Sequence, residues 1–135
     1  MILSLLAAAT LQSAPIPNRQ VAEAFFDAFN RRDMAAMEAL YAPDAVLTSS
    51  DFCKPRGRAD LRRTYQTLFD GHPDVQDVVD VMVAEGDYVA IRFHAVAESG
   101  PLPMRLPLMS FLRFRHGLII EDDTVFNTGG RACEP

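Results

Sequence analysis

From Val75 onward the chain alternates polar and apolar residues with a period of two, and it keeps that pattern almost to its end. Successive strand residues point to opposite faces, so the pattern demands a sheet with one face covered and one turned away. Four long strands are predicted at Val75 to Ala84, Tyr88 to Ala97, Arg105 to Arg115 and Leu118 to Asn127. Turns at Glu85-Gly86-Asp87, Ser99-Gly100-Pro101 and His116-Gly117 separate them. The preceding half has helical spacing instead. Val21, Phe25, Ala28 and Phe29 place a helix at Asn18 to Asn30, and Asp33 stands as the N-cap of a second, Met34 to Leu40. Pro43 ends that helix, a short strand follows at Ala45 to Ser50, and Ser50 to Gly57 is a polar loop. Leu61, Tyr65 and Leu68 form one side of a third helix, Ala59 to Phe69. Helices first and a meander of strands afterwards means an α+β fold, helices on one face of an antiparallel sheet.

The 135 residues suffice for one domain with a single core, and the net charge of −5 argues against nucleic acid or anionic membranes as partners. Lys54, Arg56, Arg58, Arg62 and Arg63 cluster, but they read as a solvated helix start. Residues 1–14 carry no charge and end in small residues, which predicts a signal peptide cleaved after Ala9 or Ala14. The expected location is then periplasmic or secreted. An uncleaved N-terminal arm is the alternative, with the protein cytoplasmic. The block is too short to span a bilayer, so no stable membrane insertion is expected. Cys53 and Cys133 suit an exported protein with one disulfide that tethers a 130–135 tail, free buried thiols being the alternative. The three histidines, His72, His94 and His116, are scattered without zinc-ligand spacing, so no metal or other cofactor is expected.

The last strand holds Glu121, Asp122 and Asp123 in a row. Three consecutive strand residues cannot share a face, so the middle acid turns inward with Leu118, Ile120, Thr124 and Phe126. A carboxylate on an apolar face is unfavourable unless it is paired or functional.

Four segments in this order, AFFDAFNRRDMAAMEALYAPDAV, GRADLRRTYQTLF, EGDYVAIRF and FLRFRHGLIIEDDTVFN, resemble the nuclear transport factor 2-like superfamily and its SnoaL-like and ketosteroid-isomerase-like members. The resemblance covers most of residues 20 to 127 and implies one domain over 18–129. It also implies a cone-shaped, cystatin-like α+β barrel, a curved sheet wrapped on three N-terminal helices. An apolar pocket between helices and sheet, and a homodimer, belong to the same expectation.

The isomerase roles of oxyanion donor, base and protonated acid fall on Phe25, Ser49 and Ser110, none of which can fill them. Tyr65 matches a supporting tyrosine of that family. Against the cyclases, Asp122 stands at an inward His position and Thr124 at the catalytic Asp position.

The family's register turns Arg92 and His94 inward and makes Val89, Ile91, Phe93 and Ala95 an apolar outer face for dimerisation. Alternation alone gives the reverse. In the family's register a pocket forms from Arg92, His94, Ser110, Asp122 and Thr124 against Phe25, Phe29, Tyr65 and Phe126. Asp122 is then the base, His94 its partner or the acid, and Arg92 the anion stabiliser, acting without cofactor on a small hydrophobic carbonyl compound. The competing readings are a buried Arg92–Asp122 ion pair, and a module that only binds a small ligand or dimerises.

Overall fold

The computed structural model describes residues 16–100 and 103–135, so the candidate signal peptide at 1–14 and part of the Ser99–Pro101 turn lie outside the described residues. Helix α1 is Asn18–Asn30, α2 Met34–Ala39 and α3 Leu61–Gly71, the last entered through a 3-10 turn at Arg58–Asp60. The strands are β1 Tyr41–Ser49, β2 Arg56–Gly57, β3 Gln76–Glu85, β4 Tyr88–Ala97, β5 Met104–Arg115 and β6 Leu118–Phe126. They form one curved, mixed six-stranded sheet in the order β2-β1-β6-β5-β4-β3. Only β1 and β6 pair in parallel; the other neighbours are antiparallel. Among the described residues no helix is long and apolar enough to cross a membrane.

Asp33 caps α2 by accepting the Ala36 N–H at 3.0 Å. Arg32, at φ 62°, turns the chain out of α1, and its guanidinium donates to the Val75 carbonyl at 2.6 Å while lying 4.2 Å from the Phe69 ring centre. One side chain thus joins the end of α1 to α3 and to the approach of β3. Strand β1 starts at Tyr41, earlier than its sequence suggests, because Pro43 falls within the register break between Tyr41 and Val46, where no ladder N–H is missed.

The faces of the sheet follow simple alternation, not the family-derived register. Val89, Ile91, Phe93, Ala95 and Ala97 are all buried in the core, with Phe93 against Phe26 of α1 at a ring separation of 4.9 Å. Arg92 and His94 therefore point away from the core. Burying five apolar side chains outweighs any use the cavity has for those two polar ones. Two bulges refine the pattern. An extra residue at Asp80 shifts the parity of β3, and one at Ile120 shifts that of β6, so Ile119 faces the core instead of Leu118. The outer face is apolar as well, but through Val81, Val83, Met109, Phe111 and Val125 rather than Val89, Ile91 and Phe93.

Cys53 and Cys133 are joined, closing a ring of 80 residues' separation, and the tail lies against the loop after β1. Cys53 N–H donates to the Glu134 carbonyl at 2.8 Å, and the buried Arg56 reaches Glu134 and the Pro135 carbonyl. Breaking the link by Cys133→Ser is expected to lower stability by about 2–4 kcal/mol, below the chain-entropy value for so long a loop because these polar contacts persist. Thermal melts of wild type and variant, with and without reductant, check this; reductant should leave the variant's Tm unchanged.

Candidate functional site

A cavity of about 670 Å³ opens between α1, α3 and the inner face of the sheet. Phe25, Phe26 and Phe29 form its helical wall, Leu106, Leu108 and Leu112 much of its sheet wall. One set of its polar groups, Ser110, Asp122 and Thr124, comes from strands β5 and β6. Register sets them there: Ser110 lies opposite Thr124 and Leu112 opposite Asp122, on the face that alternation turns inward.

Asp122 is only 7% exposed. The Tyr41 hydroxyl donates to its Oδ2 at 2.6 Å and the Thr124 hydroxyl to its Oδ1 at 3.1 Å. Thr124 in turn is 2.5 Å from the Ser110 hydroxyl. Burial pushes the Asp122 carboxyl above its ordinary pKa, while these two donors pull the other way. The Tyr41 and Tyr65 hydroxyls interact with each other, and burial together with the charge on Asp122 drives both well above the usual tyrosine pKa. Tyr41 and Asp122 are accordingly a buried hydroxyl–carboxyl pair with the Tyr65 hydroxyl beside it, and both tyrosines hold their protons tightly.

A second acid shares the cavity. Asp77, near the start of β3, lies opposite the buried Ala95 and lines the wall. Asn30 clamps its backbone from both sides, donating to the Asp77 carbonyl at 2.9 Å and accepting its N–H at 2.8 Å. Among the described residues its carboxyl oxygens accept no hydrogen bond, and burial pushes its pKa up to about 7 against a smaller opposing pull from Arg32.

Of the residues singled out in the sequence, Asp122, Ser110, Thr124, Tyr65, Phe25, Phe29 and Phe126 line this cavity. His94 and Arg92 do not. His94 is on the outer face with its Nδ1 2.5 Å from Asp80 Oδ2, a close contact off the ring N–H direction. The Asp122–His94 pair and the Arg92–Asp122 ion pair therefore do not exist, because β4 turns both side chains away. Tyr41 and Asp77 were not legible as site residues. Tyr41 reads as the end of a helix, and the Asp80 bulge hides which face Asp77 takes. Among the described residues no three His, Cys, Asp or Glu side chains gather into a metal site.

The fold has relatives. The family model described as SnoaL-like domain matches residues 22–122. The chain belongs to the SnoaL-like domain family. Solved structures agree with that membership. IdmH from Streptomyces antibioticus, provisionally a polyketide cyclase, is 25% identical with a TM-score of 0.74, over 83% of this chain and 93% of that one. A provisional ketosteroid isomerase from Kribbella flavida is 27% identical with a TM-score of 0.68, over 87% and 81% of the two chains. AclR from Streptomyces galilaeus, provisionally a hydroxylase, is 25% identical with a TM-score of 0.72, over 82% and 78%. No curated protein matches the chain in sequence.

Asp77 also affects stability. Its folded pKa lies above that of an unfolded aspartate, so between about pH 4 and pH 7 the folded state binds more protons. Its contribution is thus fully favourable at low pH and is lost as pH rises through that window, at no more than about 1.4 kcal/mol for each step of one in pH. Asp77→Asn is expected to raise stability at pH 8 and change it little at pH 4. Urea melts at the two pH values check this; an equal effect at both would contradict it.

Proposed function

We propose that this SnoaL-like protein takes a small, uncharged, mostly apolar molecule into the cavity and performs cofactor-independent proton transfer of the isomerase or cyclase kind. The observation that carries this reading is the 2.6 Å hydrogen bond from Tyr41 to the buried Asp122, which with Tyr65 lines a cavity rich in aromatic and aliphatic side chains. A tyrosine hydroxyl in a largely apolar pocket can donate toward an oxygen on which charge develops. Similarity to a provisional polyketide cyclase and a provisional ketosteroid isomerase supports the same reaction type. Asp122 anchors this group, its carboxyl raised above its ordinary pKa by burial and held by the Tyr41 and Thr124 hydroxyls.

A purely binding role is the second reading. It is favoured by one feature, that Tyr41 and Thr124 already occupy both oxygens of Asp122. Two further parts of the proposal concern the protein's setting. The uncharged leader and the exposed Cys53–Cys133 bond support export, which N-terminal sequencing of secreted or periplasmic material tests; an intact Met1 would sink it. The exposed Val83, Met109 and Phe111 support a homodimer covering the outer face.

Binding is tested with the neutral fluorophore prodan. Wild type is expected to bind it at micromolar concentration, and Leu108→Trp, which fills the cavity, to weaken binding at least about tenfold, equivalent to 1.4 kcal/mol. Equal binding by both proteins would remove the cavity from the proposal. Sedimentation tests the dimer: wild type should sediment as a dimer and Phe111→Lys as a monomer, whereas a monomeric wild type would contradict it.

A further inference from the structure

We infer that the Cys53–Cys133 disulfide is a latch: its reduction by a dithiol lets residues 127–135 open and close at the margin of the cavity, so that the molecule inside exchanges faster. The inference rests on the ligand-binding part of the reading above and adds a redox control to it, independent of any reaction inside the cavity.

The tail belongs to the cavity wall and to the surface at once. Asn127, Thr128, Gly129, Arg131 and Glu134 all line the cavity, and all but Thr128 are exposed. Residues with both properties mark where a cavity meets solvent, and Thr67 and Gly71 of α3 share them. Beyond Phe126 the tail has neither helix nor strand to hold it. Among the described residues, the hydrogen bonds between Asn127 and Ala132 are internal to the tail. Gly129 N–H donates to the Asn127 side chain, and Arg131 donates to the Thr128 carbonyl from both its N–H and its Nε. Gly129 and Gly130 turn the chain at φ 65° and 79°, where two residues without Cβ leave the backbone free to swing.

The tail is fastened again at its far end, to the loop after β1. Cys53 N–H donates to the Glu134 carbonyl at 2.8 Å, and Glu134 N–H to the Asp51 carbonyl at 2.6 Å. Arg56 donates to the Glu134 carboxylate at 3.5 Å and to the Pro135 carbonyl at 3.2 Å. The two sides of this junction are held unequally. Arg56 is buried, lies 3.8 Å from the Phe52 ring centre and donates to Thr64 of α3, while Arg56 and Gly57 pair with β1. The loop is therefore anchored without the tail. Cys133, Glu134 and Pro135 are exposed, and apart from the disulfide they have only those four hydrogen bonds. Water competes for such bonds, and ordering the tail costs chain entropy, so polar contacts alone hold it shut only part of the time.

Both cysteines are exposed, so a thiolate reaches the bond directly. The thiolate of a dithiol attacks one sulfur, the S–S bond breaks, and its electron pair leaves on the other sulfur, which takes up a proton. The second thiol of the reductant gives up its proton and displaces the remaining cysteine from the mixed disulfide. That cysteine is then protonated. Two electrons and two protons have passed to the protein, and the dithiol has become a disulfide.

The test follows prodan association and release by stopped-flow fluorescence, and amide hydrogen exchange, with and without dithiothreitol. Reduced wild type is expected to release prodan about tenfold faster than the oxidised protein. On reduction the Cys53 and Glu134 amides should exchange faster, while those of β4 and β5 keep their protection. The double variant Cys53→Ser/Cys133→Ser should match reduced wild type whether or not dithiothreitol is present. Release that is unchanged by reduction overturns the inference and leaves the binding reading intact. Protection lost throughout β4 and β5 also overturns it, since reduction would then loosen the whole domain. Prodan bound in neither redox state removes the binding reading and the inference with it.

Discussion

Five side chains of β4, Val89, Ile91, Phe93, Ala95 and Ala97, lie against the helical layer, with Phe26 of α1 meeting Phe93 edge-on. That packing decides the face of every other strand, because each ladder pairs inward residues with inward residues. With β4 set, Leu108, Ser110 and Leu112 of β5 turn inward, and Asp122, Thr124 and Phe126 of β6 follow across the next ladder. The polar wall of the cavity is thus a by-product of apolar burial one and two strands away. Had β4 been inserted the other way, five apolar side chains would sit outside and a guanidinium inside. Hydrophobic burial of about 1.5–3 kcal/mol per large side chain makes that arrangement untenable.

The order of elements was legible because it is written in periodicity. Asn18–Asn30 as a helix and Tyr88–Ala97 as a strand have the bounds that spacing alone suggests. The inward turn of Asp122 was legible for the same reason, as were the residues that share its face beyond the bulge. What stayed hidden depends on single extra residues. Nothing in the sequence marks Asp80 or Ile120 as unpaired, yet each reverses the side on which its neighbours lie. Tyr41 was obscured differently, since Pro43 two residues later reads as a helix stop although it occupies a break in a parallel ladder. Arg92 and His94 were misplaced because a family's register was preferred over the local alternation, and local alternation prevailed.

The electrostatic character of the cavity follows from that reversal. With Arg92 and His94 outside, the groups that could compensate the two inward acids directly are hydroxyls, and only Arg32 acts on Asp77 as a cation. Both carboxyls respond by holding their protons more tightly. The two acids are nevertheless unlike each other. One is enclosed in a relay of hydroxyls, the other is held by its backbone and left open. Difference of environment between two like groups sets their proton affinities apart within one pocket.

The link between Cys53 and Cys133 has a consequence for the shape of the cavity. Asp51 and Phe52 line the cavity, as do Gly129, Arg131 and Glu134, and the disulfide ties these two stretches together. That part of the wall therefore has a fixed gauge, set by covalent chemistry rather than by side-chain packing. Reduction would loosen the cavity from its rim of backbone, while the aromatic wall on α1 stayed where it is.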